Sequence, residues 1–389
     1  MSRLGQAVVR EGRALIHVDG IEEAYAGGRL EPAWMPVFYN PAMILNRDVS
    51  VAAIQAYIDE YAPHRPVNIV EPLTATGVRS VRYALELRGV GRVIAGDIDP
   101  RAVELARVNA EANGVDVEVV GGDARCILYS LRGTPVLVVD IDPFGSPAPF
   151  MEAALTAIGR GGMLAVTATD LAVLEGSKQR AALRRYMARL ERIPHSKEVA
   201  VRALIGYIAR VAAGLDKAVE PLLSYYQGHY VRLYLRVERG ARRADLMLEK
   251  HLGYLYYCPG DGTAWLGEPG CDSPRRLGPL WVGSLWDPRF VELTLREVEA
   301  RAYLQSRREA LRLLGIVRGE AGLGVVVHQR IDSIASSLRV SMPRRRAVLE
   351  ELSRMGYRAV ETHFSPVGVR SDADPGVVAG VVRRLSGGS

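Results

Sequence analysis

The chain has 389 residues, of which 48% are hydrophobic, enough for two packed cores, and its length predicts two domains. A net charge of +6 with a pI near 9.2 permits nucleic-acid binding without requiring it, and three cysteines, an odd and low count, argue against a secreted disulfide framework. No stretch reaches the roughly eighteen consecutive apolar residues of a membrane span, and Met1 to Gln6 lack the apolar core of a signal peptide, so a cytoplasmic protein without a membrane partner is expected.

From 67 to 168, short apolar runs at 67–70, 92–96, 117–120, 136–139 and 163–166 alternate with amphipathic segments such as 100–113. Alternating β and α units predict a parallel sheet with right-handed crossovers, and ligands bind such sheets at the carboxyl ends of the strands. The first strand runs into Glu71-Pro72-Leu73-Thr74-Ala75-Thr76-Gly77, which opens a helix. Gly77 lets the backbone approach a ligand, and the helix start offers unpaired N–H groups. The full G-x-G-x-x-G fingerprint of dinucleotide sites is absent. One acidic residue before a single glycine suits S-adenosyl-L-methionine (SAM) better than a nicotinamide cofactor.

Asp97 ends the second strand about twenty residues after Gly77, where a carboxylate accepts ribose hydroxyls. Its other reading, the N-cap of the helix opening at Pro100, falls better to Asp99. Asp123 ends the third strand, where its carboxylate and the Ala124 N–H suit the amino group and ring nitrogen of adenine, or where Asp123 caps the next helix. The fourth strand ends in Asp140-Ile141-Asp142-Pro143-Phe144-Gly145-Ser146-Pro147. A carboxylate, a proline carbonyl and an aromatic ring there supply two acceptors for an –NH2 group and a face on which a base stacks. The plainer reading is a turn, for which Asp, Pro and Gly are ordinary residues.

Helices are expected at 178–191 and 198–213, and strands at 222–226 and 229–237 with only Gln227-Gly228 between them, an antiparallel hairpin. Residues 241–286, rich in Gly, Pro and aromatics, read as a small hairpin excursion. A charged helix over 291–314 opens the last part, and 332–360 reads as helix–turn–helix–strand, either winged-helix-like or a plain αα-hairpin, with Met342-Pro343 starting its second helix and Gly356 ending it. The fold class is therefore α/β: a Rossmann-like methyltransferase sheet over 1–286 and a smaller α+β, winged-helix-like domain over 287–389. Only Lys178, Lys197, Lys217 and Lys250 among the 50 basic residues are lysines. Arginine stacks on bases and grips phosphate in pairs of bonds, though a GC-rich genome gives the same bias. Scarce Asn and Gln lean towards a thermophile.

The Asp140 to Pro147 segment resembles the (D/N)-P-P-(Y/F) signature of amino-group N-methyltransferases, departing at its third and fourth positions with Phe144 and Gly145. With Val37-Phe38-Tyr39-Asn40-Pro41-Ala42-Met43, Asn46-Arg47-Asp48-Val49-Ser50, Thr74 to Arg79, Asp97-Ile98-Asp99-Pro100, Val166 to Asp170, Gly278 to Gly283 and Thr362 to Pro366, nearly the whole chain resembles the tRNA (guanine-26-N2) dimethyltransferases of archaeal type. That resemblance implies SAM as cofactor and tRNA as partner, with no protein partner. It implies that Arg47 and Arg79 hold the methionine carboxylate, that Asp97 takes the ribose, and that Asp123 with Ala124 contacts the adenine. Asp142 would be the catalytic carboxylate, with the Pro143 carbonyl as second acceptor, and Phe38 and Phe144 would sandwich a flipped-out guanine. From the residues alone, Phe38 is equally well core, and Arg47 equally well pairs with Asp48. Arginines such as Arg339, Arg344, Arg345 and Arg346 would meet the tRNA backbone, unless they are a solvated helix start.

One departure concerns metal. Members of that family often carry C-x-x-C-G twice as a structural zinc site in the region matching 240–280. Here Cys258-Pro259-Gly260-Asp261 and Cys271-Asp272-Ser273-Pro274 each keep one cysteine. Two thiolates with Asp261 or Asp272 make a poor zinc cage, so no metal is expected, and packing of Tyr256, Tyr257, Trp265 and Trp281 is expected to hold the excursion. The competing readings are an amino-methyltransferase for another base in RNA or DNA, a non-catalytic RNA-binding protein with a vestigial SAM fold, and a nicotinamide oxidoreductase.

Overall fold

The structure, a computed structural model, describes residues 7–21, 24–26, 29–62 and 66–387. The opening residues read for a signal peptide and the end of the Ser-Gly-Gly-Ser tail lie outside them. The chain begins with a hairpin that the sequence reading did not anticipate. Strands β1 (Ala7–Glu11) and β2 (Ala14–Val18) pair antiparallel across Gly12, whose φ of +58° favours glycine. Ala14, Ile16 and Val18 are buried with Val78, Val81 and Ala110. An almost wholly buried helix follows, α1 (Ile44–Tyr61).

The alternating runs then build the expected sheet. In chain order they are β3 (Val67–Glu71), α2 (Val78–Glu86), β4 (Val90–Asp97), α3 (Pro100–Ala112), β5 (Glu118–Gly121), α4 (Ala124–Ser130), β6 (Val136–Ile141), α5 (Met151–Ala157) and β7 (Ile158–Ala168). After α6 (Ser196–Ala213) come β8 (Lys217–Gln227) and β9 (Tyr230–Arg239). Hydrogen-bonded neighbours run β8-β9-β7-β6-β3-β4-β5, a sheet of seven strands. The pairs β3·β4, β3·β6, β4·β5 and β6·β7 are parallel. The chain winds from β3 outward through β4 to β5, then returns to the other side of β3 for β6 and β7. The switch point lies between β3 and β6, so the topology places a ligand cleft beside Glu71 and Asp142. Every residue of β6 is buried, as a strand covered on both faces requires.

Several boundaries move. The β8–β9 hairpin turns at Gly228-His229, one residue later than expected, and both strands are longer. The helix expected over 178–191 spans only Gln179–Tyr186 and stops at Met187, whose backbone is left-handed. The excursion opens with a helix, Ala241–His251, and continues as a three-stranded antiparallel sheet with Leu252–Cys258 between Thr263–Leu266 and Arg275–Trp281. Cys258 and Cys271 form a disulfide. This corrects the expectation that packing alone holds the excursion: the cross-link closes it, beside the cross-strand pair Tyr256–Trp265 and the buried Tyr257 and Trp281. The charged helix over 291–314 is two, Pro288–Ala300 and Arg307–Ala321. The break is fixed by Asp48, whose Oδ2 accepts from both the Ser306 backbone N–H (2.8 Å) and the Ser306 hydroxyl (2.6 Å).

Near the end, helices Ile331–Leu338 and Arg345–Arg354 precede a strand pair, Ala359–Thr362 with Ser365–Ser371, and a last helix, Pro375–Leu385. The second of these helices begins two residues after Pro343, not at it. By contacts the chain forms two compact units that interleave in sequence. One comprises 1–167, 234–238 and 292–312, the other 168–233, 239–291 and 313–389. The expected boundary at 286–287 lies near only one of these crossings.

Candidate active site

The carboxyl ends of β3 and β6 and the amino end of α1 converge on one guanidinium. Arg79, in the first turn of α2, is fully buried, and its Nε and Nη2 both donate to Asp142 Oδ2, Nε at 3.1 Å. Nη1 donates to Ser50 Oγ (3.0 Å) and Nη2 also to Asn46 Oδ1 (2.9 Å). Asp140 and Glu71 lie 3.6 Å away from it. Three carboxyl groups thus face one cation, which raises the pKa of Arg79 against the opposing effect of its own burial. Burial pushes Glu71 up to about 8, although Arg79 and hydrogen bonds from Ser80 and Thr74 oppose it. Asp140 accepts a hydrogen bond from the Tyr83 hydroxyl (2.5 Å).

Asp142 is the exposed member of this acidic group, its side chain 20% accessible while Arg79 and Asp140 are sealed. Phe144, two residues on, is 80% exposed. The rings of Phe144 and Phe38 meet edge to face, with centroids 5.6 Å apart at 68°. The two candidates are brought together as expected, but as an edge contact and not as parallel walls. A base entering between them must first part the rings.

Arg47 is also buried, and its partner is neither Asp48 nor solvent. Its Nε donates to Glu11 Oε1 (2.6 Å) and its Nη2 to Glu11 Oε2 (2.7 Å) and the Asn40 carbonyl (3.0 Å). Asp48 pairs with Arg82, whose other nitrogens bind Glu11 and Glu86. Burial alone would raise Glu11, but the charges and hydrogen bonds of Arg47 and Arg82 hold it at about 2. Sequence reasoning missed Glu11, Asn46 and Ser50. The signal for the last two was present: they stand four residues apart on α1, hence on one face.

The turn after β3 is shaped for close approach. Gly77 has φ +76°, and a Cβ there would stand 3.0 Å from the Ala106 Cβ and 3.1 Å from its Cα. Ala75 is also left-handed, and its N–H donates to Asp97 Oδ2 (2.9 Å). Asp97 Oδ1 accepts from the Asp99 N–H (3.0 Å). A carboxylate has about four acceptor sites, so each oxygen keeps one for a hydroxyl. Asp99, not Asp97, caps α3. Asp123 caps α4 through the Arg125 N–H and pairs with the Arg125 side chain, whose hydrogen bonds hold it at about 2. Its position is thus explained without a ligand, and Ala124 beside it is buried. Among the described residues no group of three or more His, Cys, Asp or Glu could hold a metal ion, and no helix is long and apolar enough to cross a membrane.

A family model described as "N2,N2-dimethylguanosine tRNA methyltransferase" matches residues 12–383. The chain is 47% identical over 395 aligned residues to a tRNA (guanine(26)-N(2))-dimethyltransferase of Aeropyrum pernix, covering 97% of each. To the protein of the same name from Saccharolobus solfataricus it is 38% identical, covering 94% of this chain and 96% of that one. Among solved structures, Trm1 from Pyrococcus horikoshii in complex with S-adenosyl-L-methionine superposes with a TM-score of 0.85 at 33% identity, covering 96% of this chain and 99% of that one.

Proposed function

Since the chain belongs to the N2,N2-dimethylguanosine tRNA methyltransferase family, we propose that the cleft beside β3 and β6 methylates the exocyclic N2 of guanine 26 in tRNA, with SAM as methyl donor. The observation that carries the reading is Asp142: a partly exposed carboxylate at the switch-point strand end, held by a buried arginine and flanked by an exposed aromatic ring. The residues present fit the cofactor. Gly77, left-handed and packed on Ala106, shapes the turn that opens α2, Asp97 keeps acceptor sites for ribose hydroxyls, and Arg47 and Arg79 are the cations that the family resemblance assigns to the methionine carboxylate. Arg79 spends its Nε, both Nη2 hydrogens and one Nη1 hydrogen on protein acceptors, so at most one N–H is left for the cofactor. Asp123 and Ala124 would meet the adenine.

When bound, SAM supplies an electrophilic methyl group on a sulfonium. The chain's own residues do the rest. The guanine amine is a poor nucleophile because its lone pair is delocalised into the ring. Asp142 and the Pro143 carbonyl accept its two hydrogens and turn the lone pair out of the plane. Both Arg79 bonds fall on Asp142 Oδ2, which directs Oδ1 to the amine, and Asp142 takes the proton as the new C–N bond forms and the methyl's bond to sulfur breaks, leaving a neutral thioether. Phe144 and Phe38, once parted, stack on the base and exclude water. For a second methylation the remaining hydrogen must reach an acceptor, and two acceptors allow either orientation of the monomethyl amine.

Within 287–389, which we assign to tRNA binding, Arg339 and Arg344 are exposed, whereas Arg345 is tied to Glu361 and the Pro366 carbonyl and Arg346, though exposed, pairs with Glu350 (2.7 Å). The first two are the better candidates for backbone phosphate. A thermophilic source accords with the scarcity of Asn and Gln, and in a thermophile's cytoplasm the Cys258–Cys271 disulfide is not out of place. The test is nucleoside analysis of an unmodified tRNA transcript after incubation with enzyme and SAM. N2-methylguanosine followed by N2,N2-dimethylguanosine at position 26 is expected. A methylated adenine or cytosine would transfer the reading to another base, and SAM binding without any product would favour a vestigial fold.

A further inference from the structure

The hydrogen bonds behind Arg79 continue away from the cleft. Ser50 Oγ accepts from Arg79 Nη1 (3.0 Å), lies 2.7 Å from the Asn46 carbonyl one helical turn earlier, and lies 2.9 Å from the Tyr234 hydroxyl on β9. A serine hydroxyl has one hydrogen. The Asn46 carbonyl only accepts, so that hydrogen goes to it, and Tyr234 must then donate to Ser50 Oγ. Asn46 is oriented in the same way. A guanidinium has no acceptor, so the atom 2.9 Å from Arg79 Nη2 is the Asn46 carbonyl oxygen, which turns its amide nitrogen towards Thr167 Oγ1 at 3.4 Å. Asn46, Ser50, Thr167 and Tyr234 are each fully buried. None can touch tRNA, yet they fix the plane of the guanidinium that meets the catalytic carboxylate.

We propose that Asn46, Ser50 and Tyr234 are positioning residues that act through Arg79 to aim the Asp142 carboxylate at the guanine amine. The inference rests on the methylation reading above and deepens it. Arg79 is held from two sides: Nε and Nη2 donate to Asp142, while Nη2 and one Nη1 hydrogen donate to Asn46 and Ser50 of α1. Removing one of those acceptors lets the guanidinium swing, and Asp142 with it. Glu71, Asp140 and Tyr83 also face Arg79, and they offer it alternative partners once it is loose. A displaced carboxylate lowers turnover while leaving the tRNA contacts in place.

The test is steady-state methylation of guanine 26 by wild type, Tyr234→Phe, Ser50→Ala and the double variant, with thermal unfolding of each. Tyr234→Phe deletes one hydroxyl and keeps the ring, so it isolates the hydrogen bond even where Ser50→Ala folds poorly. Expected is a fall in kcat of about tenfold for either single change, with KM for tRNA within about twofold and any rise in KM for SAM smaller than the fall in kcat. The double variant should be no worse than the poorer single one, because both act through the same guanidinium. Wild-type kcat in Tyr234→Phe, additive losses in the double variant, or a rise in KM for SAM with kcat unchanged would overturn the relay while leaving the methylation reading intact. A wild-type enzyme that leaves guanine 26 unmodified would overturn both.

Discussion

Single side chains of the cleft divide into those already committed to protein partners and those free to meet a substrate. Asp142 presents a carboxylate with one oxygen committed to Arg79, and Phe144 presents a ring that no core claims. Stacking on a base contributes about 1–3 kcal/mol. Phe144→Ala should therefore lower kcat/KM for tRNA by roughly ten- to a hundredfold and leave SAM affinity unchanged, while Phe144→Tyr keeps most activity. Equal losses in both, or weaker SAM binding in the alanine variant, would contradict a stacking role. Much of this cleft was legible in advance, because carboxylates and glycines at strand ends follow from the topology of parallel sheets. The partners of the arginines were not. Glu11 stands 36 residues before Arg47 in the chain, and no local spacing signals a pair formed by a hairpin folding back. The edge-on meeting of Phe38 with Phe144 likewise depends on backbone angles that composition does not encode.

At the scale of elements, close packing of backbone on backbone is the feature most exposed to test. Helix α6 and strand Arg275–Trp281 touch at Gly206, where a Cβ would stand 2.8 Å from the Trp281 nitrogen and 2.9 Å from the Leu280 Cα. Neither atom can yield without moving the strand. Gly206→Ala gains helix propensity of at most about 1 kcal/mol, yet overpacking of about 1–3 kcal/mol should outweigh it. A lower unfolding midpoint in a denaturant titration is the expected outcome, and a raised one would show that the strand is free to shift. The apolar runs were readable as strands, most plainly β6, which is buried on both faces, while the edge strand β5, with no buried residue, was legible only from its place in the alternation of strands and helices. The β1–β2 hairpin was not, because its five-residue strands alternate too briefly. The split of the charged helix was hidden because its break depends on Asp48, which lies 258 residues from Ser306.

At the scale of the whole molecule, buried ion networks set the response to pH. In the second unit, Glu198 accepts from Arg202 (2.7 Å), Arg370 (2.7 Å) and the His328 ring (2.6 Å), and Arg370 also donates to Glu320 (2.9 Å). Burial would raise Glu320, but His363 and Arg370 hold it at about 2, as Arg47 and Arg82 hold Glu11 in the first unit. Both folded values lie below the ordinary 4.5, so each group contributes stability that is full above 4.5 and lost as pH falls towards 2. Glu71 has the opposite sign. Its folded value near 8 lies above 4.5, so its contribution is full in acid and lost as pH rises through 8. Melting curves should show stability falling on both flanks, and Glu71→Gln should flatten only the alkaline one. An unchanged alkaline flank in that variant would remove Glu71 as its cause.

The central claim is that Asp142 takes the proton from the guanine amine. The most direct measurement is single-turnover transfer of a labelled methyl group to an unmodified tRNA transcript by wild type and Asp142→Asn, with a transcript carrying adenine in place of guanine 26 as control. The asparagine variant is expected to lose about two to four orders of magnitude in rate while binding SAM as wild type does, and the control transcript is expected to stay unlabelled. An Asp142→Asn enzyme that labels guanine 26 at the wild-type rate would contradict it.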